Sequence, residues 1–198
     1  MKKCRNKYDI TFLLDTHSSP EVEQCWTNEW GYKALFNSYS GSSRGVAIML
    51  KNSFQFEVLD VLKDESGNFL ILNIKYFNIK HSLVVLYGPN EDTPGFFEII
   101  SKHIETLGNE SVVIGGDFNV PLDYSRDTKL YEKEYNNQKA RERVLQMISE
   151  HDLVDVWRER NPSVSRFTWH GPQRKQARLD CFLVSSSLQL FTVNADTG

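Results

Sequence analysis

Apolar residues fall in short runs along this chain, and the spacing inside the runs switches between the period of a strand and that of a helix. Residues 10–14 (Ile-Thr-Phe-Leu-Leu) and 46–50 (Val-Ala-Ile-Met-Leu) are apolar blocks, the second entered from the tight-loop sequence Gly41-Ser42-Ser43-Arg44-Gly45. Both predict buried strands. Phe54, Phe56 and Val58 alternate with Gln55 and Glu57, while Leu70, Leu72, Ile74 and Tyr76 alternate across Asn73 and Lys75. With Glu65-Ser66-Gly67-Asn68 as the turn between them, this pattern predicts an antiparallel hairpin. Further strands are predicted over 83–87, 112–114, 167–169 and 179–184.

Two segments have helical spacing. Thr93 is placed to cap a helix with Pro94 at its first position, Phe96, Ile100, Ile104 and Leu107 on one face, and Gly108 as its stop. Ala140, Val144, Leu145 and Ile148 mark a second. The longest polar stretch, 123–139, reads as a surface loop over a site. Strands interleaved with helices predict an α/β protein, and 198 residues without a linker or repeat predict one domain over 1–198.

Composition narrows the classes. No apolar run approaches the roughly 20 residues needed to cross a bilayer, so no membrane partner is expected. With 26 acidic and 23 basic side chains the net charge is -3, and no global positive field draws the chain to nucleic acid. A bound cation supplies positive charge locally, so phosphate substrates stay open. Cys4, Cys25 and Cys181 are odd in number with no CxxC spacing, which favours neither a disulfide framework nor a zinc knuckle. The basic start, 1–7, leads into too short an apolar stretch for a signal peptide, and an intracellular location is expected.

Polar residues follow several predicted strands immediately. Asp15-Thr16-His17 follows 12–14, Tyr87-Gly88-Pro89-Asn90 follows 83–86, and Gly115-Gly116-Asp117-Phe118-Asn119 follows 112–114; Thr168 and Asp180 lie within the last two strands. Convergence of these strands would gather three carboxylates, two amides, a phenol and a hydroxyl. Such a set suits magnesium, which takes oxygen ligands and keeps several waters, and it suits phosphate. A carboxylate such as Asp117 can deprotonate water, and Asn90 and Asn119 can donate to phosphate oxygens. Each piece taken alone has a plainer reading: the glycine-bearing segments as turns, Asp15 as the cap of a helix near 20–26, Arg178 and Asp180 as an ion pair. Their joint occurrence carries the case.

In order, these segments resemble the endonuclease/exonuclease/phosphatase superfamily, the deoxyribonuclease I-like fold, and within it the apurinic-type endonuclease domain of LINE-type retrotransposons. The carriers are Leu-Leu-Asp-Thr-His at 13–17, Arg-Gly-Val-Ala-Ile at 44–48, Tyr-Gly-Pro-Asn at 87–90, Gly-Gly-Asp-Phe-Asn at 115–119, Leu-Val-Asp-Val-Trp-Arg at 153–158, Phe-Thr-Trp at 167–169 and Arg-Leu-Asp at 178–180. The resemblance implies a four-layer α/β/β/α sandwich with mostly antiparallel sheets. It implies a magnesium-dependent (alternatively manganese-dependent) endonuclease acting on DNA, nuclear in location. Asp117 would activate water, Asn119 would contact the scissile phosphate with Tyr87 beside it, and Asn90 would support that loop. Asp15 would bind the metal, Thr168 would contact the DNA backbone, Asp180 would complete the carboxylate shell, and Arg178 would help hold the site and its substrate.

The chain departs from that pattern in three places. An opening strand with a metal-side asparagine and a closing Ser-Asp-His block are not found, so terminal strands are expected to be missing and activity impaired. Asp15 stands where the family has glutamate, a reach shorter by roughly 1.5 Å, and a misplacement of about 1 Å can cost on the order of a hundredfold in rate. None of the five histidines is an evident substitute for the closing one; His170, after Phe-Thr-Trp, is the nearest candidate. The alternatives are a catalytically dead nucleic-acid-binding remnant, using Arg166, Arg174, Lys175 and Arg178, and a phosphatase of the same fold.

Overall fold

The computed structural model describes residues 7–109, 111–131, 136–192 and 195; Cys4 and the terminus at 197–198 lie outside them. The chain forms two compact units, residues 1–87 and 88–198.

The first unit holds two antiparallel sheets. In one, β1 (Ile10–Leu13) and β2 (Lys33–Asn37) flank β3 (Val46–Leu50). Every residue of β3 is fully buried, which is why it reads as a continuous apolar run and not an alternating one. Helix α1 (Pro20–Trp30) ends at Gly31, whose φ of 77° suits a residue without Cβ. Its last residue, Trp30, packs on Phe36, Ala47 and Met49 and donates its indole N–H to the Leu50 carbonyl at 3.3 Å. The residue preceding α1 is Ser19 and not Asp15. β2 was not evident in the sequence, because Lys-Ala-Leu-Phe-Asn is exposed at one end and buried at the other with no alternation.

The second sheet of this unit is a meander of β4 (Glu57–Lys63), β5 (Phe69–Tyr76) and β6 (Ile79–Tyr87). The expected hairpin forms, but β4 starts only at Glu57 and carries an irregularity between Val58 and Asp60. Phe54 and Phe56 precede the strand. Asp64 closes the turn: its Oδ1 accepts the backbone N–H groups of Asn68 (2.8 Å) and Phe69 (2.9 Å) and the Asn37 amide (2.8 Å).

The second unit is built on β12 (Asp180–Ser185), which pairs antiparallel with β7 (Ser111–Asp117) on one side and β9 (Leu153–Asp155) on the other. Helices α2 (Pro94–Leu107) and α4 (Gln138–Glu150) lie together, linked by Arg143 to Glu98 and by Ser101 to Glu150. Gly108 stops α2 at a φ of 57° as expected. The buried faces differ from the expected ones in both helices: in α2 Phe97 replaces Phe96, one position along, and in α4 Met147 is buried while Leu145, two positions before it, is exposed.

The polar stretch 123–139 holds more structure than a loop. It contains α3 (Tyr124–Asp127) and β8 (Thr128–Lys129), with residues 132–135 outside those described. A small sheet orders β8 beside β11 (Gln176–Ala177) and then β10 (Trp169–His170). The strand expected over 167–169 thus begins two residues later. Short α5 (Val156–Arg160) follows β9. Both units are mixed α/β with antiparallel pairing.

Candidate active site

In the second unit the ends of β7 and β12 bring two carboxylates together. Asp117, the last residue of β7, is the cross-strand partner of Asp180, the first of β12. Directly opposed residues share a face, with Cβ atoms about 4.5–5.5 Å apart. Burial pushes the Asp180 carboxyl above its ordinary range, against hydrogen bonds from Thr168 and from its own backbone. Asp117 is followed by a turn in which Asn119 adopts the left-handed conformation, φ 52°. That turn is tied back on itself, because Asp117 Oδ1 accepts the Asn119 backbone N–H at 2.8 Å.

The 88–90 segment is stitched to the same turn. Gly88 N–H donates to the Asp117 carbonyl at 2.6 Å, and Asn119 Nδ2 donates to the Gly88 carbonyl at 2.7 Å. A Cβ on Gly88 would sit 2.5 Å from the Phe118 carbonyl oxygen and 2.8 Å from its carbon, so this approach requires glycine. Asn119 Nδ2 keeps a second N–H beyond the one on Gly88. Asn137, just ahead of α4, donates to the carbonyls of Asn90 (3.0 Å) and Asn119 (3.3 Å) and so joins both loops. The Asn90 side chain itself is exposed.

Thr168 and Arg178 serve the scaffold beneath these groups. Thr168 Oγ1 accepts the N–H groups of Leu179 (3.0 Å) and Asp180 (3.1 Å), fixing the start of β12. Arg178, expected to help hold both site and substrate, has a side chain only 1% exposed, which leaves it the first role and not the second. Its guanidinium donates to Asp127 (2.8 and 3.1 Å) and Asp155 (2.5 Å), and Arg158 also reaches Asp127 at 2.5 Å. Burial opposes the Arg178 charge, but the hydrogen bonds to Asp127 and Asp155 outweigh it and raise its pKa. The expected Arg178–Asp180 ion pair is replaced by this network.

In the first unit, Asp15 and His17 both have positive φ, 48° and 50°. Asp15 Oδ1 accepts the Arg44 backbone N–H at 3.1 Å and lies 3.0 Å from His17 Nε2, in a half-exposed pair. The 44–48 segment therefore positions the 13–17 segment, two of the blocks singled out in the sequence. Tyr87 ends β6, held by its N–H on the Asn68 carbonyl at 2.7 Å.

Sequence reasoning missed Gly88 as a required close approach, and it missed Asn137, Asp127, Asp155 and Arg158. Asp155 and Arg158 stand in the Leu-Val-Asp-Val-Trp-Arg block, so a signal existed for them. Asn137 and Asp127 lay in the polar stretch 123–139, where nothing distinguished a buried polar residue from an exposed one.

No protein-family model matches the chain. It is 34% identical over 187 residues, 91% of its length, to the transposon TX1 uncharacterized 149 kDa protein of Xenopus laevis, of which it spans 14%. Among solved structures it superposes on an AP endonuclease from Archaeoglobus fulgidus with a TM-score of 0.74 at 21% identity, over 93% of this chain and 79% of that one. A second, the AP endonuclease LMAP from Leishmania major, gives a TM-score of 0.73 at 16% identity, over 93% and 72%. The chain has the endonuclease/exonuclease/phosphatase fold.

An endonuclease/exonuclease/phosphatase fold implies a divalent cation, and the donor chemistry fits one. Among the described residues no three His, Cys, Asp or Glu side chains are grouped to hold an ion by themselves. Magnesium does not need such a cage, since it binds through one or two carboxylates plus waters and substrate oxygens. In the second unit Asp117 and Asp180 offer hard oxygen donors, and in the first unit Asp15 offers one.

Proposed function

We propose that this chain is a metal-dependent endonuclease domain that hydrolyses DNA phosphodiester bonds. The observation that carries the reading is the register pairing of Asp117 with Asp180, with Asn119 fastened to Asp117 and Gly88 beside them. A carboxylate pair with one desolvated member, next to a fixed amide, is suited to moving a proton from water while charge builds on a phosphate.

In this reading Asp117 orients the attacking water and takes its proton. The water oxygen forms a bond to phosphorus as the bond to the leaving sugar oxygen breaks, and that oxygen is then protonated. Asn119 donates its second amide N–H to a phosphate oxygen, Tyr87 contributes its phenol beside the phosphate, and Asn90 supports the loop. A bound magnesium ion would supply Lewis-acid stabilisation of the leaving oxygen, with Asp15 as its carboxylate ligand and Asp180 in the surrounding carboxylate set.

Nicking of supercoiled plasmid in magnesium tests this. Wild type is expected to nick and Asp117→Ala to fall to background. Asp15→Glu is expected to nick faster, because it restores about 1.5 Å of reach. Equal background in wild type and Asp117→Ala would remove the endonuclease reading. Release of inorganic phosphate from small phosphate esters with plasmid intact would replace it with a phosphatase, and salt-sensitive DNA binding without cleavage would replace it with a binding domain.

A further inference from the structure

We propose that the turn between β5 and β6, together with the loop preceding β4, forms a stacking platform for single-stranded nucleic acid. The platform lies at the far end of β6 from Tyr87, about 26 Å away along a strand rising ~3.3 Å per residue.

Its first component is a continuous set of aromatic rings. Phe56 and Phe54 are 5.2 Å apart, Phe54 and Tyr76 4.6 Å, and Tyr76 and Phe77 4.5 Å between centroids. None of these four belongs to the buried core, and Phe77 is 83% exposed.

The second component is an anomaly of the turn itself. Tyr76 pairs with Ile79, so Phe77 and Asn78 make a two-residue hairpin loop, and both have positive φ, 47° and 63°. This turn prefers Asn-Gly or a similar pair, and a bulky residue in the left-handed region is strained. Phe77 therefore carries a backbone cost and an exposed apolar ring at one position. The fold alone would be better served by asparagine there, and strain of this kind is retained where a surface is used.

The third component is charge. Segments 51–56 and 75–81 contain Lys51, Lys75 and Lys80 with no acidic residue, and Lys33 Nζ lies 5.2 Å over the Phe56 ring. Lys75 and Lys80 are cross-strand partners, so their charges stand side by side at the turn. The acidic neighbours are Asp9, 3.7 Å from Lys51, and Glu57, opposite Lys75 in register. A local positive surplus around exposed rings, on a chain of net charge -3, complements an anionic ligand with flat faces. Unpaired bases on a phosphate backbone have that chemistry, whereas an apolar peptide would leave the lysines uncompensated.

Fluorescence anisotropy with a labelled oligothymidine, carried out in the Asp117→Ala background, tests the platform independently of cleavage. Binding is expected at low salt, weakening as salt rises, with duplex DNA a poor competitor. Phe77→Asn should weaken binding roughly tenfold and leave the melting temperature unchanged or higher. Lys75→Ala with Lys80→Ala should flatten the log–log salt slope by about 1.4. The proposal is overturned if oligothymidine does not bind at low salt, if Phe77→Asn binds it like the parent, or if Phe77→Asn loses binding and melting temperature together. A parent that is dimeric and becomes monomeric on Phe77→Asn would assign the surface to a second copy of the chain and overturn it as well.

Discussion

Asp180 stands directly opposite Asp117 across the antiparallel pair of β12 and β7. Burial makes the ionised Asp180 unfavourable in the folded protein, so its folded-state pKa lies above the ordinary 3.8. A carboxyl raised in this way costs stability when ionised. The cost is absent below the unfolded value, grows as pH rises through the window that begins near 3.8, and is complete above the folded value. Asp180→Asn keeps an acceptor for the Thr168 hydroxyl and removes the charge. Its melting temperature should therefore match wild type in acid and exceed it by a margin that grows with pH and then levels off, while plasmid nicking is lost. A margin that shrinks with rising pH would show that the ionised form is the stabilised one.

The close approach of Gly88 to the 117–118 backbone makes a second prediction. In Gly88→Ala the new methyl meets the Phe118 carbonyl carbon and oxygen, which are backbone atoms and cannot rotate away. The loops must separate, at a cost of about 1–3 kcal/mol for overpacking. Separation also breaks the Asn119 amide contact with the Gly88 carbonyl, and a displacement of about 1 Å is expected to lower nicking on the order of a hundredfold. Urea denaturation and the plasmid assay on one preparation measure both effects. Wild-type activity in a destabilised Gly88→Ala would separate this loop from the chemistry.

How much of this was legible in the sequence varied with the kind of signal. Buried strands such as β3 and the interior of β12 announced themselves, because an apolar run needs no partner to be recognised. The placement of Asp117 and Asn119 was legible as well, since both come within a few residues of the apolar run 112–114, although Asp117 still belongs to β7. The roles of Thr168 and Arg178 were only partly legible. Arg178 is charged, and the carboxylates that neutralise it, Asp127 and Asp155, lie 51 and 23 residues away. The buried face of α2 was displaced by one position because adjacent Phe96 and Phe97 satisfy the helical period almost equally well, and in α4 Leu145 pairs at three-residue spacing with Ile148 just as the buried Met147 does with Val144. Phe77 gave no sign of its strained conformation, because a phenylalanine between Tyr76 and Asn78 looks like the continuation of a strand.

Arg178 supplies the last prediction. Asp127 is completely buried, and its carboxylate is neutralised by Arg178 and Arg158; Asp155 receives Arg178 as well. Removing one partner of a buried pair costs roughly 3–5 kcal/mol, because the other charge is left uncompensated. Arg158 still reaches Asp127, so Arg178→Met should fall near the lower end. Arg178→Lys restores a charge without the planar fork that spans two carboxylates, so it should recover only part of the loss in urea denaturation and provides a folded variant for kinetics. The guanidinium is out of reach of substrate, yet the next two residues are Leu179, whose carbonyl accepts the Phe118 N–H at 2.9 Å, and Asp180. Disturbing it should misplace the carboxylate pair and lower kcat with KM for DNA unchanged. A raised KM at constant kcat in Arg178→Lys would instead mean that the side chain leaves its buried pairings to touch DNA.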